Sequence, residues 1–161
     1  MTPDLIEIIG YRGERVVELC LTNYEAFDQP LFRPGFLGDK WPAVDFYVEL
    51  RAVDRRVPYF FGQAKTTTAP LSASAHSLRI GTRKRDVERL LQIPGPTYIF
   101  GVHAPSGRVF IRSVNQGTPV KSMASIPLTH ELTPERLRAL HTEVREFWEG
   151  HDYKPSDSVF K

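Results

Sequence analysis

The stretch Tyr59-Phe60-Phe61-Gly62-Gln63-Ala64-Lys65-Thr66-Thr67-Thr68 decides how the chain folds. Its first half is a run of large apolar residues, the composition of a strand buried in a sheet. Its second half turns polar and places Gln63 and Lys65 two residues apart. In a strand, residues i and i+2 project from the same face. An amide and an ammonium therefore stand side by side at one end of a core strand. A lone lysine is costly to bury, so Lys65 asks for an acidic or phosphate neighbour.

Upstream, Trp41-Pro42-Ala43-Val44-Asp45-Phe46-Tyr47-Val48-Glu49-Leu50 reads as a second strand, entered after a proline. Phe46, Val48 and Leu50 share one face; Asp45, Tyr47 and Glu49 share the other. The polar segment from Arg51 to Pro58 can turn the chain back, so the two strands form a hairpin. That hairpin brings Asp45 beside Gln63 and Lys65. An Asp followed by a strand ending in (Asp, Glu or Gln)-x-Lys resembles the core of the PD-(D/E)XK nuclease superfamily, and in particular its Gln-x-Lys branch. Within that branch the chain is similar to the small bacterial domain family DUF4365, and more distantly to the Mrr-type restriction endonucleases. Residues 8–115 carry the likeness.

The resemblance implies an α/β fold with a restriction-endonuclease-like αβββαβ core: a mixed central sheet flanked by helices, plus a C-terminal helix. It implies one domain over residues 1–150; the polar stretch over 151–161 reads as a flexible tail. It also implies a metal-dependent nuclease that hydrolyses phosphodiester bonds with magnesium or manganese, in bacterial defence or DNA processing. Asp45 would anchor the metal, Gln63 would offer its side-chain carbonyl, and Ala64 its backbone carbonyl. The Gly13-Glu14 pair matches a Gly-Glu at the start of the family's first helix, which assigns Glu14 as the second carboxylate. Lys65 would orient the attacking water or stabilise developing negative charge. Glutamine at position 63 departs from the commoner acid there, which puts weight on Glu14. Glu49, on the Asp45 face, is a further candidate ligand.

Composition sets outer bounds. A chain of 161 residues is enough for one real core and short for two. No run approaches the ~18 apolar residues of a membrane span. The N-terminus lacks the pattern of a signal peptide, and the single Cys20 excludes an internal disulfide. These features lead to the expectation of a cytoplasmic protein without a membrane partner. The net charge of +2 is compatible with a nucleic-acid partner, DNA foremost, without arguing for one.

The remaining segments follow from periodicity. Arg15 to Leu21 has apolar residues at helical spacing, predicting a first helix over 12–25 with Glu18 facing solvent. The aromatics Phe27, Phe32, Phe36 and Trp41 sit in an irregular connection packed over the core, with room for a short first strand. Thr66 to Ser77 reads as a loop beside the site. Arg83-Lys84-Arg85 precede a helix over Asp86–Leu91, where basic residues at a helix N-terminus suit phosphate. With Thr66 and Thr67 they are the expected nucleic-acid contacts, although a charge run also reads as a solvated face. Tyr98–Val102 is a central strand and Val109–Val114 its hairpin partner. Residues 115–130 read as polar connection. Thr133-Pro134-Glu135 starts a helix whose stripe of Leu137, Leu140, Val144, Phe147 and Trp148 packs on the sheet or on a partner.

Two readings compete with the nuclease. Asp45 alone is also a capping aspartate, and Lys65 alone is a strand-end lysine that snorkels to water. On that basis the chain is a catalytically inactive module of the same fold, binding nucleic acid or a protein partner. In the other, it is one subunit of a homodimer, or depends on a partner protein for targeting.

Overall fold

The structure, a computed structural model, describes residues 1–24, 28–38, 41–53, 57–71, 75–115, 117, 123–151 and 157–159. Helix α1 runs over Pro3–Leu21 and is followed by strands β1 (Phe32–Phe36), β2 (Phe46–Leu50) and β3 (Tyr59–Thr67). Next come β4 (Ser77–Arg79), α2 (Lys84–Leu91), β5 (Thr97–His103) and β6 (Arg108–Ser113). A short β7 (Ser125–Pro127), a 3₁₀ turn at Leu128–His130 and α3 (Pro134–Glu149) complete the order. The fold is α/β, with a mixed five-stranded sheet in the order β1-β2-β3-β5-β6.

The β2–β3 hairpin is antiparallel, with Phe46 opposite Gly62 and Val48 opposite Phe60. On its other side β3 pairs with β5 in parallel, Gln63 opposite Ile99 and Lys65 opposite Gly101. A parallel pair needs a crossover, and α2 lies within it. Every residue of β5 is buried, as expected for a strand covered on both faces. Strand β1 is Phe-Arg-Pro-Gly-Phe, and it lies at the sheet edge. That is where a proline, which has no N–H to give, is tolerated.

Period-2 alternation splits the apolar residues into two cores. Val17 of α1 and Leu137, Leu140 and Val144 of α3 pack with Phe46, Phe60 and Phe100 on one face. Val87 and Leu90 of α2 pack with Ile99 and Phe110 on the other, joined by Leu78 of β4 and Ile126 of β7. Strands β4 and β7 pair antiparallel as a separate two-stranded sheet. They close over Gly101, where an added Cβ would lie 2.9 Å from Leu78 Cδ2 and from Ile126 Cδ1.

Several expectations are corrected. Helix α1 begins at Pro3 rather than residue 12, and its last described turn ends at Leu21. The start at residue 12 followed from the helical spacing of Arg15 to Leu21. The better signal was Thr2-Pro3-Asp4: Thr2 caps the helix, accepting from Leu5 N at 3.4 Å, with Pro3 and Asp4 in the first turn. The 66–77 loop is shorter than expected, because Thr66 and Thr67 pair with Val102 and His103 of β5. Residues 115–130 are not merely polar connection, since Met123 and Ile126 are fully buried there. Among the connection aromatics, Phe32 is in the core while Phe36 and Trp41 are exposed; Phe27 lies outside the described residues.

The start of α3 is as read: Thr133 accepts from Arg136 N at 3.3 Å, with Pro134 in the first turn. Leu137, Leu140, Val144 and Trp148 of its apolar stripe pack against the sheet core, while Phe147 stacks on His151. Most of the 151–161 tail lies outside the described residues. Among the described residues no helix is long and apolar enough to cross a membrane.

Candidate active site

The site grows from the place where β2 and β3 part. Their ladder ends at Phe46–Gly62, and one residue earlier Asp45 N donates to Gly62 O at 2.9 Å. Just before it, Ala43 adopts φ +63°, a left-handed conformation that a non-glycine residue takes at a cost of about 1 kcal/mol. The kink lets Val44 bury and sends the chain away from β3. The Asp45 carboxylate then substitutes for the departed strand: its Oδ2 accepts from Ala64 N at 2.7 Å.

That hydrogen bond settles which way several groups face. Backbone groups of residues two apart in a strand point to the same side. Gly62 O and Ala64 N both reach towards Asp45, so the Ala64 carbonyl is directed to that side as well. Gln63, opposite Asp45 by continuation of the register, is 3 % exposed. Its Oε1 is buried without a hydrogen-bond partner. A buried acceptor in that state costs about 1–3 kcal/mol, which is a penalty that a bound donor or cation removes. The Asp45 carboxylate, the Gln63 amide and the Ala64 carbonyl thus lie along one strand end. They are hard ligands of the kind magnesium takes while retaining several waters.

Lys65 lies on the Gln63 face and is partly buried. Its Nζ is 3.6 Å from Asp86 Oδ2, in the first turn of α2. Sequence reasoning gave Asp86 no role beyond opening a helix. Topology held the signal: a helix that follows a parallel strand starts near that strand's C-terminal end, where Lys65 sits. An acid in the first turn is also favoured by the helix dipole. Arg85 Nε stands 3.7 Å from the other oxygen of Asp86.

Glu14 reaches the same strand end from the opposite layer. Gly13 packs so closely on Thr66 that a Cβ there would clash with its hydroxyl. This places α1 on the Ala64/Thr66 face, across the sheet from Gln63 and Lys65. Glu14 lines a groove of about 430 Å³ with Ala64, Lys65 and Thr66 to Thr68. Asp45 and Gln63 are not part of that lining. The structure therefore ties Asp45 to Ala64, with Gln63 and Lys65 on the same strand end, Lys65 paired to Asp86, and Glu14 lining a groove on the far face. Among the described residues no three His, Cys, Asp or Glu side chains form a metal-binding group.

The remaining candidates are more dispersed. Arg83, Lys84 and Arg85 are exposed at the start of α2, and Lys84 pairs with Glu88 at 3.5 Å. Thr67 Oγ1 accepts from Ala69 N at 3.2 Å. Glu49 pairs with Arg33 at 3.9 Å on β1, away from Lys65. Glu18 pairs with Arg15 within α1. Burial pushes the Cys20 thiol up to about 12, which removes it as a nucleophile near neutral pH. No family model, curated protein or solved structure matches the chain.

Proposed function

We propose that the chain is a metal-dependent nuclease of the PD-(D/E)XK type, with a restriction-endonuclease-like core and magnesium or manganese as its cation. The observation that carries this reading is the 2.7 Å hydrogen bond from Ala64 N to the Asp45 carboxylate. It ties the aspartate that precedes β2 to the middle residue of Gln63-Ala64-Lys65. The unpartnered Gln63 Oε1 supports it, as does the element order α1-β1-β2-β3-α2-β5, which runs αβββαβ once the small β4 is set aside.

In this reading Asp45, Gln63 and the Ala64 carbonyl hold the cation, with Glu14 adding a carboxylate through water. A bound divalent ion would lower the pKa of a water and neutralise phosphate charge. The chain's own residues do the rest. Ala64 N fixes the Asp45 carboxylate in one rotamer. Lys65 offers a donor to the phosphate oxygen as negative charge develops, and Asp86 restrains that ammonium. Arg83 and Arg85 supply positive charge for the backbone of nucleic acid, DNA foremost.

Purified protein should nick plasmid with magnesium or manganese, and Asp45→Ala or Lys65→Ala should each lower the rate at least about 100-fold. Undiminished cutting by both variants, or no cation binding in calorimetry, would sink the proposal. One observation favours a second reading, a non-catalytic module of the same fold: Lys65 is already engaged by Asp86. That module would bind nucleic acid in a salt-dependent manner without cation and without cleavage.

A further inference from the structure

Helix α1 carries apolar residues on two faces; the sheet covers one of them from Gly13 onward, while Ile6 near the N-terminus stays 57 % exposed. Val17 and Leu21 are buried against the sheet. At about 3.6 residues per turn, Leu5, Ile8, Tyr11 and Leu19 fall within about 60° of one direction, opposite Val17. They are 45 %, 55 %, 59 % and 70 % exposed. Large apolar residues repeating at helical spacing on an outward face mark an interaction surface.

The charges on that face identify what covers it. Asp4 and Arg12 lie four residues before and four after Ile8, both exposed and both on the outward side. Place a second α1 antiparallel across a twofold axis at Ile8. Ile8 then meets its own counterpart, Leu5 of each copy faces Tyr11 of the other, and Asp4 of each copy faces Arg12 of the other. A parallel pairing would oppose Asp4 to Asp4 and Arg12 to Arg12. The stripe is therefore self-complementary in one orientation, as an isologous twofold interface requires. We propose that two copies of this chain associate through antiparallel pairing of their α1 helices centred on Ile8. The interface lies on a different side of α1 from the groove beside Glu14. It stands whether or not the chain cleaves nucleic acid.

Sedimentation velocity across a concentration series tests this directly. The chain should pass from monomer to dimer with a Kd of about 1–100 μM, the range for a single helix pair with a small interface. Ile8→Glu should weaken association at least about 100-fold, while circular dichroism and the Tm read well below the Kd stay unchanged, because the site is exposed in the monomer. Asp4→Arg and Arg12→Asp should each weaken it about tenfold, and the two together should restore it, since the reversed charges again face each other. A chain that stays monomeric to about 1 mM overturns the proposal, as does a dimer indifferent to Ile8→Glu or a double reversal that fails to rescue.

Discussion

The two halves of β3 are built from one continuous strand and do opposite things. From Tyr59 to Gly62 the strand has β2 on one side and β5 or the chain leading into it on the other. Phe60 is fully buried, edge-on to Phe32 at 5.8 Å and to Tyr98 at 5.2 Å. From Gln63 to Thr67 the pairing with β5 continues but β2 has gone. The vacated side is met by the Asp45 carboxylate instead of a backbone ladder. The residues turn polar, and one buried acceptor is left unmatched. The first half gains stability by having every neighbour a strand can have. The second gives up a neighbour, and the gap admits side-chain oxygens and an ammonium that a complete sheet would exclude.

The comparison breaks most readily at Phe60. Truncating a fully buried phenylalanine removes its transfer energy and leaves a cavity, about 3–5 kcal/mol in all. Phe60→Ala should therefore lose a substantial part of a domain's margin of about 5–15 kcal/mol, read as a lowered midpoint in urea. A loss below about 1 kcal/mol would mean that the first half does not anchor the sheet.

The sequence made the first half legible because burial there is a matter of pattern. Tyr59-Phe60-Phe61 and Phe46-x-Val48-x-Leu50 announce strands, and a polar turn between them announces a hairpin. The same reasoning placed Asp45 beside Gln63 and Lys65. Features fixed by tertiary partners were harder to see. Asp86 reaches Lys65 only because the crossover helix starts above the end of β3. Glu14 approaches from the other layer, which a helix-face argument cannot reveal without knowing which side of the sheet α1 covers. The start of α1 was read too late because the apolar spacing is clearest from Arg15 to Leu21. The contact that Gly13 makes with Thr66 is a packing feature that spacing alone does not show. Met123 and Ile126, sparse apolar residues in a polar stretch, became core only because β4 was there to pair with.

A sharper probe of the second half is Gln63→Met, nearly the same shape without the orphaned acceptor. If the buried Oε1 is held there at a cost, its removal should stabilise the fold by about 1 kcal/mol. The same change should abolish any rise in Tm produced by magnesium or manganese in the native chain. The two readouts move in opposite directions, which is the signature of a group retained for binding rather than for folding. A variant that loses more than about 1 kcal/mol would show instead that Gln63 belongs with Phe60 as a structural residue.

The smallest effect on stability is expected at Lys65. Its partner Asp86 is 3.6 Å away and has Arg85 Nε at 3.7 Å on its other oxygen. Removing the ammonium therefore does not leave a lone buried charge, the situation that makes broken ion pairs expensive. A partly exposed pair of this length is worth about 0–1 kcal/mol, so Lys65→Met should shift the urea midpoint by no more than that. Asp86→Asn should shift it as little, while releasing the lysine side chain from its restraint. The contrast with Phe60 is then complete: at one end of β3 a substitution costs several kcal/mol, at the other it costs almost none. If Lys65→Met instead unfolds the chain, the ammonium is holding α2 to the sheet. Its place at the strand end would then need no catalytic explanation.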